Sequence, residues 1–470
     1  MKSQLGIIGM GIMGTALSRN LASRDIALSL YNRHVRGTEE NVAAIAISMH
    51  DELKQAKGFD ELGPFVESLD SPKIILIMVA GGTATQEVID SLIPLLDKHD
   101  VVIDGGNSHY EDTRHRGLQL NANGILFLGC GISGGAEGAL KGPSIMAGGN
   151  QEAYNIASPF LKKITAKDLY GGPCCTYIGP QGSGHFVKTV HNGIEYAEMQ
   201  LLAEVYSVLR WAVGLTPDHI AEVLAGWKSS EAASFLLDIT VNILREKNSD
   251  GWLIDKIVDS AGTKGTGAWA VQAAAAMGIP AMMITAALHA RYLSGQRHIR
   301  VQLDEITRIQ TRKNASLGTT DIFNAYQLAR MINYQEGFAI IRAASKAYNW
   351  EINLSSLAAC WTNGCIIRSA LMNHFVEVWK DWDDELILYP TIKGIITTGW
   401  SGLRRVNQLS SSETVFTPCL VAASQYLAGA SLRYPSANLV QAQRDYFGFH
   451  GFRRTDDDSG ALHHHAWKKE

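Results

Sequence analysis

The sequence predicts an N-terminal doubly wound α/β domain, a large all-α domain and an extended C-terminal tail. Up to about residue 180, short apolar runs alternate with helix-like segments, the pattern of a mostly parallel sheet covered by helices on both faces. Beyond about residue 182, long helical periodicities replace the strand-like runs. The last forty residues lose this regularity and are rich in Gly, Arg, His and aromatic side chains. We therefore expect domains at residues 1–180 and 181–430 and a tail at 431–470.

Each predicted element follows from a local pattern. The predicted strands are Leu5–Ile8, Ile26–Tyr31, Ile74–Val79, Val101–Asp104 and Ile125–Leu128. The turns expected after four of them read GMGIMG, AGG, DGGNS and GCGISGG. The predicted long helices are Gly184–Val213, Ser230–Leu244, Asp321–Ala347 and Thr414–Leu427. In such a sheet, ligands bind outside the carboxyl ends of the strands, so the glycine-rich turns are candidate binding loops.

The composition narrows the class of protein. The 470 residues are 46% hydrophobic and 19% charged, with a formal net charge of −4. These are ordinary values for a globular chain, and the charge argues against a nucleic-acid binder. The first residues show no signal-peptide pattern, so we expect a cytoplasmic protein. The six cysteines form no CxxC pair, which favours buried thiols over a zinc site or a redox motif.

One uncharged stretch, Ala268–Leu288, is about long enough to span a membrane. It is rich in alanine, and Gly278-Ile279-Pro280 interrupts it. Glycine is typical just after a helix and proline at the start of the next. We interpret the stretch as two helices buried in the helical domain, with a transmembrane segment as the alternative.

A glycine motif stands directly after the first predicted strand. Gly9, Gly11 and Gly14 form G-x-G-x-x-G at the head of a helix-like segment. Such glycines permit a tight turn, close approach of a pyrophosphate and helix–strand packing, as in Rossmann-like domains. The free N–H groups of the helix N-terminus also favour an anion. The motif predicts a dinucleotide site, the alternative being a glycine-rich turn without a ligand.

The end of the second predicted strand indicates which dinucleotide binds. It reads Tyr31-Asn32-Arg33-His34, without the Asp or Glu that accepts a hydrogen bond from the ribose of NAD. A guanidinium can pair with a 2′-phosphate through two hydrogen bonds. We therefore predict NADP as the cofactor, with Arg33 as the main determinant and His34 or Arg36 as helpers. The alternative is an ordinary surface arginine.

A polar stripe runs along the long helix that follows residue 183. Lys188, His191, Asn192 and Glu195 are spaced to share one helical face. The other sides carry apolar residues, among them Phe186, Val190, Ile194 and Leu201. A buried lysine can act as a general base and a buried glutamate as a general acid. The alternative is a solvated helix face.

Further cationic and polar residues would suit a small, doubly anionic substrate. The loop AGTKGTG (residues 261–267) carries Lys264, Arg291 follows the apolar helix pair, and the tail contributes Arg444 and His450. A loop of this kind can present N–H groups and an ammonium to a phosphate. Each of these residues taken alone is more often structural.

Several long segments together resemble one enzyme family over essentially the whole chain. They are GMGIMG, YNR, DGGNS (Asp104–Ser108), GISGGAEGALKGPSIMAGG (Gly131–Gly149), GHFVKTVHNGIEYAEMQ (Gly184–Gln200), AGTKGTG and QAQRDYFGFH (Gln441–His450). In their order and spacing they resemble the decarboxylating 6-phosphogluconate dehydrogenases, enzymes of the pentose phosphate pathway.

The resemblance implies a reaction and roles for two residues. Lys188 would take the proton from the substrate 3-hydroxyl while hydride leaves C3 for NADP. Loss of the C1 carboxylate would then give an enediol, which Glu195 would protonate at the carbon that becomes C1 of the product. No metal is implied, because the protonated lysine can polarise the keto group.

The resemblance also implies binding residues and a partner. Those expected to line the substrate site are Asn107, Ser133, Gly134, Gly135, His191 and Asn192. Those expected to bind the substrate phosphate are Tyr196, Lys264 and Arg291. Those expected at the cofactor are Gly9, Met10, Gly11, Ile12, Met13, Gly14, Asn32, Arg33, His34, Met78, Val79, Ala80 and Asn107. Arg444 and His450 match tail residues that reach the site of the other subunit, which implies a homodimer.

Two positions depart from the family pattern. Ala80 stands where the family commonly has lysine, and His34 where it usually has Ser or Thr. Both changes bear on cofactor binding rather than on Lys188 or Glu195.

Two other functions compete with this interpretation. Another β-hydroxyacid dehydrogenase would share the glycine motif and the lysine, but would lack the AGTKGTG loop and the tail. A non-catalytic NADP-binding regulator would be expected to lose the polar stripe.

Overall fold

The structure is a computed structural model that describes residues 2–263, 265–309 and 317–467. The described chain forms two compact units, Met1–Ala423 and Ser424–Glu470. Throughout these residues, no helix is long and apolar enough to cross a membrane.

The first unit begins with an α/β region built around one sheet. Its strands are β1 Leu5–Ile8, β2 Leu28–Tyr31, β3 Lys57–Phe59, β4 Ile74–Ile77, β5 Val101–Asp104, β6 Leu126–Ser133, β7 Ser144–Gly149 and β8 Cys175–Gly179. Its helices are α1 Ile12–Ala22, α2 Val42–Met49, α3 Leu62–Glu67, α4 Thr83–Leu92, α5 Tyr110–Ala122, α6 Gly135–Lys141 and α7 Gln151–Ile164.

The strand order of the sheet creates a crevice for a ligand. Among the described residues, eight strands pair in the order β3-β2-β1-β4-β5-β6-β7-β8. Neighbouring strands run parallel except β6 and β7. The chain leaves β1 toward one edge and returns at β4 on the other side, so the order reverses between these strands. The predicted doubly wound fold is confirmed, and the glycine motif follows β1 at this reversal.

The predictions for the five strands were accurate except at their ends. Two strands match as predicted, and β2 and β4 are shorter than expected. The fifth strand is present as β6, but the turn expected directly after Leu128 was wrong, because Gly129–Ser133 continues the strand. A Cβ on Gly129 would lie 2.3 Å from the Thr113 side chain, and one on Gly131 would lie 2.4 Å from that of Lys188. These glycines permit close packing of the strand rather than a turn.

After β8 the chain is mostly helical. The helices are α8 Ser183–Ser207, α9 Pro217–Trp227, α10 Phe235–Arg245, α11 Thr266–Met277, α12 Met282–Gly295, α13 Arg297–Thr307, α14 Thr319–Tyr348, α15 Leu354–Trp361, α16 Ala370–Asp381, α17 Ile392–Ser412, α18 Pro418–Ser431 and α19 Ala437–Gly448. A short hairpin, β9 Lys247–Asn248 and β10 Gly251–Trp252, stands between α10 and α11. The region is therefore mostly helical, as predicted, and the hairpin is a departure from the all-helical expectation.

Helix α8 is the central helix of this region. Phe186, Val190, Ile194 and Leu201 are fully buried, as their spacing predicts. The predicted helix to Val213 ends earlier as a regular α-helix, and Val208–Val213 forms a π-helical turn. Helix α8 also packs on β6 and β7, so its polar side chains lie beside the carboxyl end of the sheet.

The uncharged stretch near residue 278 forms two helices, α11 and α12, as predicted. Gly278 ends α11 in the left-handed conformation, with a φ of 68°. The Glu336 carboxylate accepts hydrogen bonds from the N–H groups of Met283 and Ile284 at the start of α12. The expected full burial was wrong: each helix buries one face, and Met282 and Tyr292 are exposed.

Candidate active site

The glycine loop between β1 and α1 has the geometry of a pyrophosphate cradle. A Cβ on Gly14 would lie 1.9 Å from the carbonyl oxygen of Gly9, so only glycine lets α1 start this close to the strand. Around Gly11, by contrast, a Cβ would meet nothing within 4 Å. The N–H groups at the start of α1 therefore face open space that an anion can fill.

A cavity of about 470 Å³ adjoins this loop at the carboxyl ends of β1, β2 and β4. Its lining includes these predicted cofactor residues: Gly9, Gly11, Asn32, Arg33, Met78, Val79 and Ala80. Met10, Gly11 and Ile12 line a second hollow of about 660 Å³ on the α6 side of the loop. His34 and Arg36 are exposed on the loop after β2, and their role as helpers stays a prediction.

The cofactor loop offers a prediction that separates folding from binding. We expect Gly11→Ala to keep the melting temperature of wild type, because its φ of −70° and the free space accept a methyl group. The same methyl occupies the pyrophosphate position and should weaken NADP+ binding at least tenfold.

The matched variant Gly14→Ala should instead lose about 1–3 kcal/mol of folding stability by overpacking. Thermal unfolding and calorimetric NADP+ titration check both variants. Tight NADP+ binding by Gly11→Ala would contradict the placement of the pyrophosphate.

A network of buried hydrogen bonds fixes the loop that carries Asn107. Asp104, at the end of β5, accepts hydrogen bonds from the Ser108 hydroxyl at 2.7 Å and from Arg116 at 3.1 Å. Arg116 also donates to the carbonyl oxygen of Gly82, at 2.7 Å. Asn107 thereby lies beside the loop after β4, and both loops line a cavity of about 490 Å³. Arg116 was missed by the sequence analysis, because nothing local marks a helical arginine as a partner of Asp104.

The predicted polar stripe on α8 is a buried cluster. Lys188, His191 and Asn192 are buried, and the side chain of Glu195 is 21% exposed. The Nδ1 atom of His191 lies 3.3 Å from Lys188 Nζ and 3.7 Å from Glu195 Oε2. Its Nε2 atom lies 3.1 Å from the Ser133 hydroxyl at the end of β6. The solvated-face alternative is therefore wrong for this stripe.

Burial sets the protonation tendencies of this cluster. It lowers the pKa of Lys188, and the nearby Glu195 only partly opposes that shift. It holds the pKa of His191 well below its usual value, and Lys188 lowers it further. It raises the pKa of Glu195, an effect that Lys188 and Arg291 partly oppose. A lysine with a lowered pKa loses its proton more easily and is suited to act as a base. A glutamic acid with a raised pKa keeps its proton to higher pH and is suited to act as an acid.

Gly134 joins β6 to α6 next to Ser133, and Gly135 is the first residue of α6. Their φ values are 128° and 63°, a region that favours glycine. A Cβ on Gly134 would also lie 2.6 Å from the carbonyl oxygen of Gly364. The predicted substrate residues Ser133, Gly134 and Gly135 thus bound one side of the Lys188 cluster.

A second group of predicted residues gathers one helical turn further along α8. The Arg291 guanidinium of α12 stacks 3.6 Å above the ring of Tyr196. The Tyr196 hydroxyl lies 3.4 Å from that of Thr263, in the AGTKGTG loop. A cation, a phenol and a glycine-rich loop therefore meet beside Glu195, an arrangement suited to a phosphate. Lys264 lies outside the described residues.

The tail residues Arg444 and His450 belong to the second unit. Arg444 is exposed on α19, and His450 follows the end of that helix. Between them stands Asp445, which is fully buried and accepts hydrogen bonds from the N–H group of Gly451 and the indole of Trp467. The segment from Gly451 to Trp467, the closing segment, thus folds back on α19 and fixes the turn between the two predicted residues.

Within the described residues, no group of three or more His, Cys, Asp and Glu side chains could hold a metal ion. All six cysteines are buried, as expected.

Comparison with known proteins places the chain in one family. Residues 4–179 match the NAD binding domain of 6-phosphogluconate dehydrogenase, and residues 184–467 match the C-terminal domain of the same enzyme. The NADP(+)-dependent, decarboxylating 6-phosphogluconate dehydrogenase of Bacillus subtilis is 40% identical, with 100% of each chain covered. The decarboxylating enzyme of Escherichia coli K12 is 40% identical over 98% of each chain.

A solved structure extends this likeness to three dimensions. The 6-phosphogluconate dehydrogenase of Plasmodium falciparum, described in its apo form and with NADP+ or 6-phosphogluconate, has a TM-score of 0.93 to this chain. The two are 32% identical, and 99% of this chain and 100% of that one are covered. The chain belongs to the 6-phosphogluconate dehydrogenase family.

Proposed function

We propose that the protein oxidatively decarboxylates 6-phosphogluconate to ribulose 5-phosphate and CO2, with NADP+ as the oxidant. The observation that carries this proposal is the buried cluster of Lys188, His191 and Glu195 beside Ser133. It supplies a base and an acid on one rigid helix, as a reaction that takes a proton from a hydroxyl and delivers one to a neighbouring carbon requires. Residues 1–180 would hold the cofactor and residues 181–430 would supply the catalytic side chains.

In this mechanism Lys188 acts first. In its neutral form it accepts the proton of the substrate 3-hydroxyl, and its lowered pKa makes that form accessible. When bound, NADP+ accepts the two electrons and the hydrogen of C3. The Lys188 ammonium then hydrogen-bonds the new C3 carbonyl and favours loss of C1 as CO2. Glu195, whose pKa burial raises, donates a proton to the enediol carbon that was C2 of the substrate and becomes C1 of ribulose 5-phosphate.

The remaining residues bind and orient the substrate. Asn107, Ser133, Gly134, Gly135, His191 and Asn192 would contact the sugar acid, and Tyr196, Lys264 and Arg291 its phosphate. The contact between Arg291 and Tyr196 supports the second assignment, because it holds the guanidinium beside the polar cluster.

We further propose a homodimer in which Arg444 and His450 of one subunit complete the site of the other. Exposed apolar side chains on α13 support an interface between copies, among them Val301, Leu303 and Ile306, because a soluble monomer rarely exposes a row of large apolar residues.

The buried Asp445 supports a positioning role for the closing segment. We expect Asp445→Asn to raise the KM for 6-phosphogluconate about tenfold, because losing the carboxylate weakens its hydrogen bonds to Gly451 and Trp467. The Kd for NADP+ should stay unchanged. Steady-state kinetics and NADP+ titration check this, with the exposed Asp458→Asn as the matched control. An unchanged KM in Asp445→Asn would contradict the role.

A panel of substrates tests the function. Formation of NADPH should be rapid with 6-phosphogluconate and negligible with small 3-hydroxy acids that lack the phosphate. The reverse preference would indicate another β-hydroxyacid dehydrogenase, and binding without turnover a regulator.

A further inference from the structure

A carboxylate that the sequence analysis overlooked, Glu39, lies at the predicted 2′-phosphate position. The chain turns back after β2, and Val35 and Glu39 pair through two backbone hydrogen bonds of 2.8 Å. Gly37, with a φ of 81°, permits this turn. The turn brings Glu39 against Asn32 and Arg33, although it stands six positions after Arg33 in the sequence.

Glu39 binds both residues that were expected to contact the cofactor ribose. Its Oε1 atom accepts a hydrogen bond from Arg33 Nη2 at 2.9 Å, and its Oε2 atom accepts one from Asn32 Nδ2 at 2.9 Å. The Asn32 side-chain oxygen accepts the N–H group of Met10 at 3.0 Å. One amide therefore links the Glu39 carboxylate to the glycine loop.

The cavity that this group borders contains more acidic than basic groups. Arg33, Glu39 and Glu87 all line the 470 Å³ cavity next to the glycine loop. The hydrogen bond from Arg33 holds the pKa of Glu39 below its usual value, so the carboxylate is ionised at neutral pH. The Arg33 side chain is 65% exposed and that of Glu39 is 35% exposed. An exposed pair of this kind is held weakly and can rearrange.

We propose that Glu39 sets how strongly the site discriminates between NADP+ and NAD+. A 2′-phosphate that pairs with Arg33 must approach the Glu39 carboxylate or displace it, at a Coulombic cost. The 2′-hydroxyl of NAD+ carries no charge and can donate a hydrogen bond to the same carboxylate. Glu39 therefore weakens the binding of NADP+ and lets NAD+ serve as a second cofactor. This inference rests on the proposed function, because it assumes that the cavity holds the adenosine end of NADP+.

The test is calorimetric titration of the full-length protein with NADP+ and with NAD+, independent of turnover. Glu39→Gln has the same shape and keeps an acceptor for Asn32, but removes the charge. We expect it to lower the Kd for NADP+ about three- to tenfold and to leave that for NAD+ equal or higher. This gain in affinity for NADP+ should be smaller at high salt, because salt screens the charge of Glu39. Glu39→Asp keeps the charge and should stay near the wild-type ratio of the two Kd values.

Glu40→Gln is the matched control. This variant removes the same charge from the same turn. Because Glu40 accepts a hydrogen bond from the N–H group of Gly37 rather than from Arg33, the ratio of the Kd values for NADP+ and NAD+ should not change. An unchanged ratio in Glu39→Gln, or weaker NADP+ binding, would overturn the inference and leave the proposed function intact. A wild-type protein that binds neither dinucleotide would overturn both.

Discussion

Replacing Lys188 with methionine is expected to lower kcat for 6-phosphogluconate by about 10²- to 10⁴-fold, the usual contribution of a general base. Methionine is unbranched and only one atom shorter than lysine, and it leaves no charge at position 188 beside Gly131 and His191. The variant should therefore fold and bind NADP+ as wild type does, since the glycine loop and Arg33 are unchanged.

Two further variants separate the chemistry of Lys188 from its charge. Lys188→Arg keeps a cation, but arginine stays protonated in proteins and cannot accept the substrate proton, so it should be equally inactive. The exposed Lys346→Ala should be fully active. Near-normal turnover by Lys188→Arg would show that position 188 supplies only positive charge.

Replacing Glu195 with glutamine should slow turnover by about 10²-fold or more, because an amide cannot supply the proton that the former C2 of the substrate needs to become C1 of the product. The effect should fall on the last chemical step alone. A stopped-flow experiment should therefore show a burst of NADPH in the first turnover of Glu195→Gln, followed by slow cycling. Lys188→Met should show no burst, because its first step is blocked.

The pH dependence adds a second readout. Since burial raises the pKa of Glu195, its acid form is lost as pH rises through that raised value, and wild-type kcat should fall there. Glu195→Gln should lack this alkaline limb. Absence of the burst in Glu195→Gln, or an alkaline limb unchanged from wild type, would contradict its role as the acid.

Much of the fold was predictable because its signals are local. The run from Leu5 to Ile8, the glycines after it and the helical spacing of the polar stripe each lie within a few residues. The full-length resemblance then connected these patterns to one reaction.

Most of the errors and omissions have one physical cause, which is contact between distant segments. Gly129 and Gly131 look like turn residues until α8 packs on β6, and the identity of Lys188 gives no hint that it adjoins Gly131. Arg116 gains its role only by reaching Asp104, at the end of another element. Glu39 was missed although it is close in sequence, because the turn that returns it to Arg33 depends on Gly37.

The stoichiometry of the reaction with 6-phosphogluconate labelled at C1 tests the proposed function directly. We predict one labelled CO2 and one ribulose 5-phosphate for each NADPH formed by wild-type protein, and formation of all three at least about 10²-fold slower in Lys188→Met. Formation of NADPH without labelled CO2, or labelled CO2 from the Lys188→Met variant at the wild-type rate, would contradict it.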